Sequence, residues 1–416
     1  MLMASTTPIS AFARVAQLAS DRRVHQAFQW LHLHEQQILR WQTELVAIPA
    51  PPFGEGARAA WLCERFREYG LAEVSLDGVG NAVGVLKGAQ PCERILLLSA
   101  HIDTIFPADM PIEPRVEGTR LFAPGACDNG AGVVCLLALA AAFRQAGIRP
   151  DCDIYFAGNV GEEGEGDLRG IRYLYESAAW RERLADRVTA HIVLDGAGHE
   201  VAVTDALGSQ RFLVTLRGPG GHSWTDAGRP NPILVLSKAI ARLADLELAA
   251  VPRTTFNVGT IEGGTAINAI PEKASARFDL RSTDPEQLIR LEVELHRAVE
   301  DAVIEANRDF QNGSKRKLTL DFSIDKIGSR PAGQLPRESA LFETLRAVDR
   351  QLSIRTEPRI ASTDANIPLS LGINAVSIGA GGEGGGIHTR GEWYDARGRE
   401  LGLRRVLLLL LAMASA

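Results

Sequence analysis

The chain has 416 residues, more than one hydrophobic core ordinarily organises, so two domains are expected. Hydrophobic residues at 45% and charged residues at 23% match an ordinary soluble globular chain, which excludes a disordered or fibrous one. Lys plus Arg is 45 and Asp plus Glu is 51, and the resulting net charge of −6 argues against a nucleic-acid backbone as partner.

The first twenty residues carry Arg14 and polar Ser and Thr residues without an apolar core, a pattern unlike a signal peptide. From His25 to Ile48 a helix is predicted, with Ala27, Leu31, Ile38, Trp41 and Leu45 on one face, His34 as its polar exception, and Pro49, Pro51 and Pro52 as its stop. A second helix is predicted around Ala60–Glu68. Short apolar runs then alternate with helical ones: Ile95–Leu98, Ile154–Phe156, Ile192–Leu194 and Ala375–Ile378 read as strands buried on both faces. Between the first two, Gly132–Phe143 reads as a helix closed by Gly147.

The middle third changes character. Arg211–Arg217, Thr254–Ile261, Lys273–Arg281 and Lys317–Ile324 read as strands, with helices over Pro232–Leu246 and Pro285–Glu305. That β-α-β-β-α-β order describes a ferredoxin-like unit. The expected fold is therefore α/β: a helix-covered mixed sheet in a discontinuous domain (1–207 and 328–416), with a ferredoxin-like domain inserted at 208–327. Val406–Ala412 is far shorter than a bilayer span and reads as the buried face of a C-terminal helix. Five widely spaced cysteines without a C-x-x-C pair suit a reducing, cytoplasmic setting, with no membrane partner expected.

Acids and histidines gather where the strands end. Ile95–Leu98 runs into His101 and Asp103, Ile154–Phe156 leads to Glu162 and Glu163, Ile192–Leu194 ends at Asp195, and Ala375–Ile378 leads through glycines to His388. Open α/β sheets place their ligand crevice at those ends. Asp128 stands at the start of the Gly132–Phe143 helix, where the dipole favours an anion. A crowd of carboxylates repels itself without cations, and imidazole with carboxylate suits Zn, Co or Mn. Two such metals would hydrolyse amides if a further carboxylate moved the proton; of Glu162 and Glu163, one would bind metal and one would serve as base.

The series His101-x-Asp103, Asp128-Asn129, Glu162-Glu163, Asp195, His388-Thr389 resembles the co-catalytic di-zinc exopeptidases, which include peptidase T, glutamate carboxypeptidase and the aminoacylases. The resemblance implies two divalent metals, zinc first. His101 and Asp195 would hold one, Glu163 and His388 the other, and Asp128 would bridge them. Asp103 would orient His101, and Glu162 would be the general base. The inserted domain would be that family's lid and dimerisation domain, making a homodimer. In it, His222 of Gly221-His222-Ser223 would stabilise the oxyanion in a neighbouring subunit, and Asn268 and Arg281 would contact the substrate carboxylate. A cis peptide would join Asp128 to Asn129. Asp195, with the run Ser362-Thr363-Asp364-Ala365-Asn366, resembles the peptidase T branch, implying an aminopeptidase of di- and tripeptides. The alternatives are an N-acyl amino acid deacylase or carboxypeptidase, and a metal-binding relative without catalysis.

Plainer readings stand beside these. Glu162-Glu163 alone is a solvated acidic turn, His222 could cap a turn, and Arg281 could pair with Asp279 or Asp284. His25, His32, His34, His191, His199 and His296 have no site context, and Cys127 reads as a small buried thiol. Gly379-Ala380-Gly381-Gly382-Glu383-Gly384 satisfies G-x-G-x-x-G, yet loop follows it where a dinucleotide fingerprint opens a helix. Its glycines instead allow close backbone approach near the site.

Overall fold

Strands covered on both faces need apolar side chains pointing both ways. Ile95–His101 meets that demand, with all seven residues buried. Leu96, Leu98 and Ala100 join one core, while Ile95 and Leu97 join the core on the opposite face. The computed structural model describes residues 10–313 and 319–416. The chain divides into two units, one ending at Ala206 and resuming as Gln334–Ala416, the other Leu207–Gly333.

Among the described residues, the first unit holds a nine-stranded mixed sheet. Its central strands are Asp153–Asn159, Ile95–His101, Val188–Leu194 and Ala375–Ile378, adjacent in that order and parallel. Ala82–Leu86 runs antiparallel on one side and Val201–Ala206 antiparallel on the other. Helix Gly130–Ala146 packs against this sheet and against helices Arg22–Leu33 and Glu35–Val46. It is buried almost all round, with Gly147 closing it at φ +61°. The opposite face is covered through Ile171, Leu174, Trp180 and Leu184. Each such fully buried apolar side chain contributes on the order of 1.5–3 kcal/mol. This is the mixed α/β architecture expected.

Several expectations need correction. The helix predicted over His25–Ile48 is two helices, broken at His34. The His34 ring binds the Trp30 carbonyl at 2.8 Å and stacks on its indole, so the side chain competes with continued helical backbone. Helix Arg399–Ala414 is buried around its whole circumference, including two arginines. Arg405 binds Asp349 through two nitrogens at 2.7 and 3.1 Å, and Arg399 donates to Tyr394 and Gln42 and lies 3.3 Å from the Glu35 carboxylate, so neither charge is left unpaired. A small four-stranded sheet of Arg115–Glu117, Arg120–Phe122, Trp393–Asp395 and Glu383–Gly385 went unpredicted, because three-residue strands carry too little periodicity to read.

The second unit contains strands Gly208–Arg217, Thr255–Gly263, Lys273–Ser282 and Asp321–Arg330, in one antiparallel sheet. The second strand is an edge next to the third, followed by the first and then the fourth. Phe212, Val214, Phe278 and Leu280 pack with Leu236, Leu243, Leu295 and Val299 of the two helices, Pro232–Ala244 and Pro285–Gly313. The boundary expected at 327 falls inside the last strand, which stays paired with Gly208–Arg217 through Arg330; the unit therefore runs to Gly333. That strand begins at Asp321, and Lys317 and Leu318 of the expected one lie outside the described residues. No helix among the described residues is long and apolar enough to cross a membrane.

Candidate metal centre

Parallel pairing sets the stage: His101 lies opposite Asn159, and Leu194 opposite Ile378, so these strands end together. His101 is the last residue of its strand. Asp195 follows the end of its own strand and donates its N–H to the Ile378 carbonyl at 3.0 Å. Gly161, at φ +64°, turns the chain after Asn159 into Glu162 and Glu163. His388 arrives differently from the expectation. Between it and Ala375–Ile378 lies strand Glu383–Gly385 of the small sheet, and His388 itself sits in left-handed backbone at φ +64°.

Asp128 lies between the two histidines. Its Oδ1 is 3.1 Å from His101 Nε2, and its Oδ2 is 3.1 Å from His388 Nε2. His101 Nε2 is also 3.8 Å from Asp195 Oδ1, and His388 Nε2 is 2.9 Å from Glu163 Oε1. The result is two groups of three, His101–Asp128–Asp195 and Asp128–Glu163–His388, each offering ligand atoms within 4.8 Å of one another. They share Asp128. All five residues predicted as ligands are thus brought together.

The charge distribution follows from that proximity. Burial opposes a charge on His101, but hydrogen bonds to Asp103, Asp128 and Asp195 outweigh it and hold the imidazole well above its ordinary range. His388, hydrogen-bonded to Asp128, is pushed up to about 9. Burial works against Asp128 ionising, yet its bonds to His101 and His388 keep it well below the usual carboxylate range. Burial raises Glu163. A negative site that binds two protons on its imidazoles is one where divalent cations and protons compete. Nitrogen and oxygen donors without thiolate suit Zn, Co or Mn. Cys127 stays outside the set, its thiol pushed up to about 12 by burial.

Asp103 is wholly buried and serves three neighbours. His101 Nδ1 lies 3.2 Å from its carbonyl and 3.6 Å from Oδ1. Its carboxylate accepts the N–H of Glu162 at 3.0 Å and of Glu163 at 2.8 Å, tying the histidine strand to the glutamate turn. Glu162 is buried at the same turn.

Three residues support the ligands: Glu392 escaped the sequence reading, while Asn129 and Asp364 figure there only within motifs, without this role. The Glu392 carboxylate accepts three backbone N–H groups, from Gly125, Cys127 and Asp128, each at 2.8 Å, and so clamps the loop that carries Asp128. Asn129 follows a cis peptide from Asp128, as the resemblance implies. Its side chain caps helix Gly130–Ala146 through Gly132 N–H and also binds Gly196 N–H and the Leu194 carbonyl, joining Asp128 to the Asp195 strand. Asp364, fully buried, accepts from Asn159 Nδ2 at 2.7 Å, and burial pushes its carboxyl up to about 7. The available signal for Glu392 was its place four residues after His388, ahead of the apolar Trp393-Tyr394.

The glycine run does bring backbone close. A Cβ on Gly384 would collide with the Cys127 sulfur, and one on Gly379 with the Ala197 carbonyl. No helix begins there.

In the second unit, Gly221–His222 pairs antiparallel with Ala269–Ile270, which brings His222 next to the segment that Asn268 leads into. His222 Nδ1 accepts the N–H of Trp224 at 3.2 Å and of Thr225 at 3.4 Å, which leaves the proton on Nε2. The Asn268 carbonyl accepts Ser223 N–H. Arg281 is elsewhere, at the end of strand Lys273–Ser282. Its Nε donates to Asp279 at 2.7 Å, the plainer of its two readings.

Residues 97–412 match peptidase family M20/M25/M40. The chain belongs to that family. It is accordingly a hydrolase, and the family that the motif order resembles is the one matched. A putative LysW-lysine/LysW-ornithine hydrolase of Pyrococcus furiosus is 38% identical over 29% of this chain, a stretch spanning only about a third (32%) of that relative. A succinyl-diaminopimelate desuccinylase of Methylobacterium nodulans is 27% identical, over 64% of this chain and 71% of its own. The fold is similar to that of a Staphylococcus aureus tripeptidase at TM-score 0.73 and 23% identity, covering 92% of this chain and 99% of that one.

Proposed function

We propose that this M20/M25/M40 member is a two-metal amide hydrolase that removes the amino-terminal residue of di- and tripeptides. The observation that carries the reading is Asp128, whose two oxygens face two different histidines and complete two ligand sets. His101 and Asp195 would hold one cation, Glu163 and His388 the other, zinc in the first instance. Such cations, when bound, polarise a carbonyl and acidify a water. Glu162 would take that water's proton on its carboxylate as the new C–O bond forms, then deliver it to the nitrogen as the C–N bond breaks. Asp103 keeps Glu162 in place through its N–H and keeps the His101 Nε2 directed at Asp128 and Asp195.

The unit Leu207–Gly333 is proposed as a ferredoxin-like lid and dimerisation domain, a reading supported by its strand order. His222, with its Nε2–H left to donate, would supply the oxyanion contact in a partner subunit of a homodimer, and Asn268 would meet the substrate carboxylate. Arg281 would do so only by leaving Asp279. Five free thiols support a cytoplasmic location.

Peptide and N-acyl substrates separate this reading from its rival. Metal-loaded protein should cleave tripeptides faster than N-acyl amino acids and lose turnover on chelation. The opposite preference would move the assignment to a deacylase, the activity named for the 27% identical relative. Binding of two metal equivalents without turnover of either class would mark a catalytically silent relative.

A further inference from the structure

A cavity of about 650 Å³, within the range that small-molecule sites occupy, is lined in part by the segment that follows His388. Met110, Pro111, Pro114, Phe122 and Pro124 supply apolar wall, and Arg390, Gly391 and Glu392 close one side. Two features join it to the centre. Arg390 is two residues beyond His388, in the tight turn where Thr389 binds the Gly386 carbonyl. Glu392 is the clamp on the Asp128 loop, and Pro124 precedes Gly125, the first residue that the clamp holds.

The charges of the cavity are distributed unevenly. Glu392 spends its carboxylate on three backbone N–H groups. Arg115 lies over the Phe122 ring and pairs with Glu117. Arg390 is exposed and has no carboxylate partner among the described residues. Glu113 is exposed as well, as is Arg115. An apolar trough ending in an uncommitted guanidinium matches a short aliphatic chain that ends in a carboxylate, since the guanidinium fork takes a carboxylate through two parallel hydrogen bonds.

We propose that this cavity is a substrate subsite and that Arg390 recognises a carboxylate on the substrate, making acidic short peptides or acyl groups the preferred class. The inference rests on the hydrolase reading for its place beside the scissile bond, but the carboxylate contact is measurable without turnover. Calorimetry with glutarate and with butyrate provides that measurement. Wild-type protein should bind glutarate about tenfold more tightly, as for a partly exposed charged hydrogen bond, and Arg390→Ala should erase the difference. Arg390→Lys should keep part of it, and Glu113→Gln should widen it by removing a like charge. Equal binding of the two acids to wild type, or a difference that survives in Arg390→Ala, overturns the proposal.

Kinetics then locate the carboxylate. With Glu-Leu and Gln-Leu, and with their C-terminal amides, the ratio of acidic to neutral kcat/KM should fall about tenfold in Arg390→Ala, mainly through KM. If instead the amides lose the Arg390 effect, the recognised group is the peptide's terminal carboxylate rather than the side chain. A glutarate preference without turnover of any amide would uphold the subsite and sink the hydrolase reading. Turnover of amides without a glutarate preference would do the reverse.

Discussion

The metal centre and the short strand pair that carries His222 are built in opposite ways. At the centre, His101 is 2% exposed and Asp103 is 0% exposed; His101 ends and Asp195 follows a strand of the parallel register, whereas Asp128 precedes helix Gly130–Ala146 and the more exposed His388 follows strand Glu383–Gly385 of the small sheet. Asp103, Asn129 and Glu392 accept backbone hydrogen bonds from Glu163, Gly196 and Asp128, so that the Glu163 turn, the residue after Asp195 and the Asp128 loop are each held by another part of the chain. The pairing of Gly221–His222 with Ala269–Ile270 is two residue pairs long, and the neighbouring Trp224 is 84% exposed. The ligand cluster around His101 and Asp128 is set by burial and cross-segment hydrogen bonds, whereas His222 sits exposed on a short, thinly supported strand pair.

If the contrast is sound, substitutions in the two regions should fail differently. The largest effect is expected for Glu162→Gln. Turnover should drop about 10²–10⁴-fold, the weight of a general base, while metal content by elemental analysis stays at two equivalents. Near-normal turnover would remove Glu162 from the mechanism. If His222 is the proposed oxyanion donor, His222→Ala should cost about 10²–10³-fold in kcat with an unchanged melting temperature, because the two-pair ladder carries little of the fold. Mixing His222→Ala with Glu162→Gln subunits should restore part of the activity if the histidine serves a partner. A mixture as inactive as its components would confine His222 to its own chain.

Glu392→Gln sharpens the buried side of the comparison. An amide would turn an N–H against Gly125 or against Cys127 and Asp128, so the loop should loosen and metal affinity fall about 10–100-fold in a chelator titration. Unchanged affinity would mean that the loop holds without the clamp.

The smallest effect concerns the interior beneath the site. His191 is fully buried between Ser99 Oγ at 2.8 Å and Tyr175 OH at 3.0 Å, and burial pushes it down to about 3. An unfolded histidine takes its proton near 6.5, so between those values the unfolded chain binds more protons. Stability should therefore decline as pH falls from 6.5 towards 3, by about 1.4 kcal/mol per pH unit. In denaturant melts at pH 7 and pH 5, His191→Gln should lose less on acidification than wild type. An equal loss would place the acid sensitivity elsewhere.

Ala375–Ile378 is a strand over the very residues expected, and Gly130–Ala146 ends at the predicted Gly147, because buried runs and cap glycines leave strong local signals. The break at His34 and the three-residue strands around Glu383–Gly385 left none, since both depend on contacts rather than periodicity.

By itself the sequence determined which residue types could bind metal and that they follow buried strands, since strand burial and acid placement are both written locally. Only tertiary structure decided that Asp128 stands between two histidines, that Glu392 clamps its loop across more than 260 residues, and that Arg281 spends its charge on Asp279. Distances between remote segments arise from sheet register and loop closure, and no local pattern of side chains encodes them.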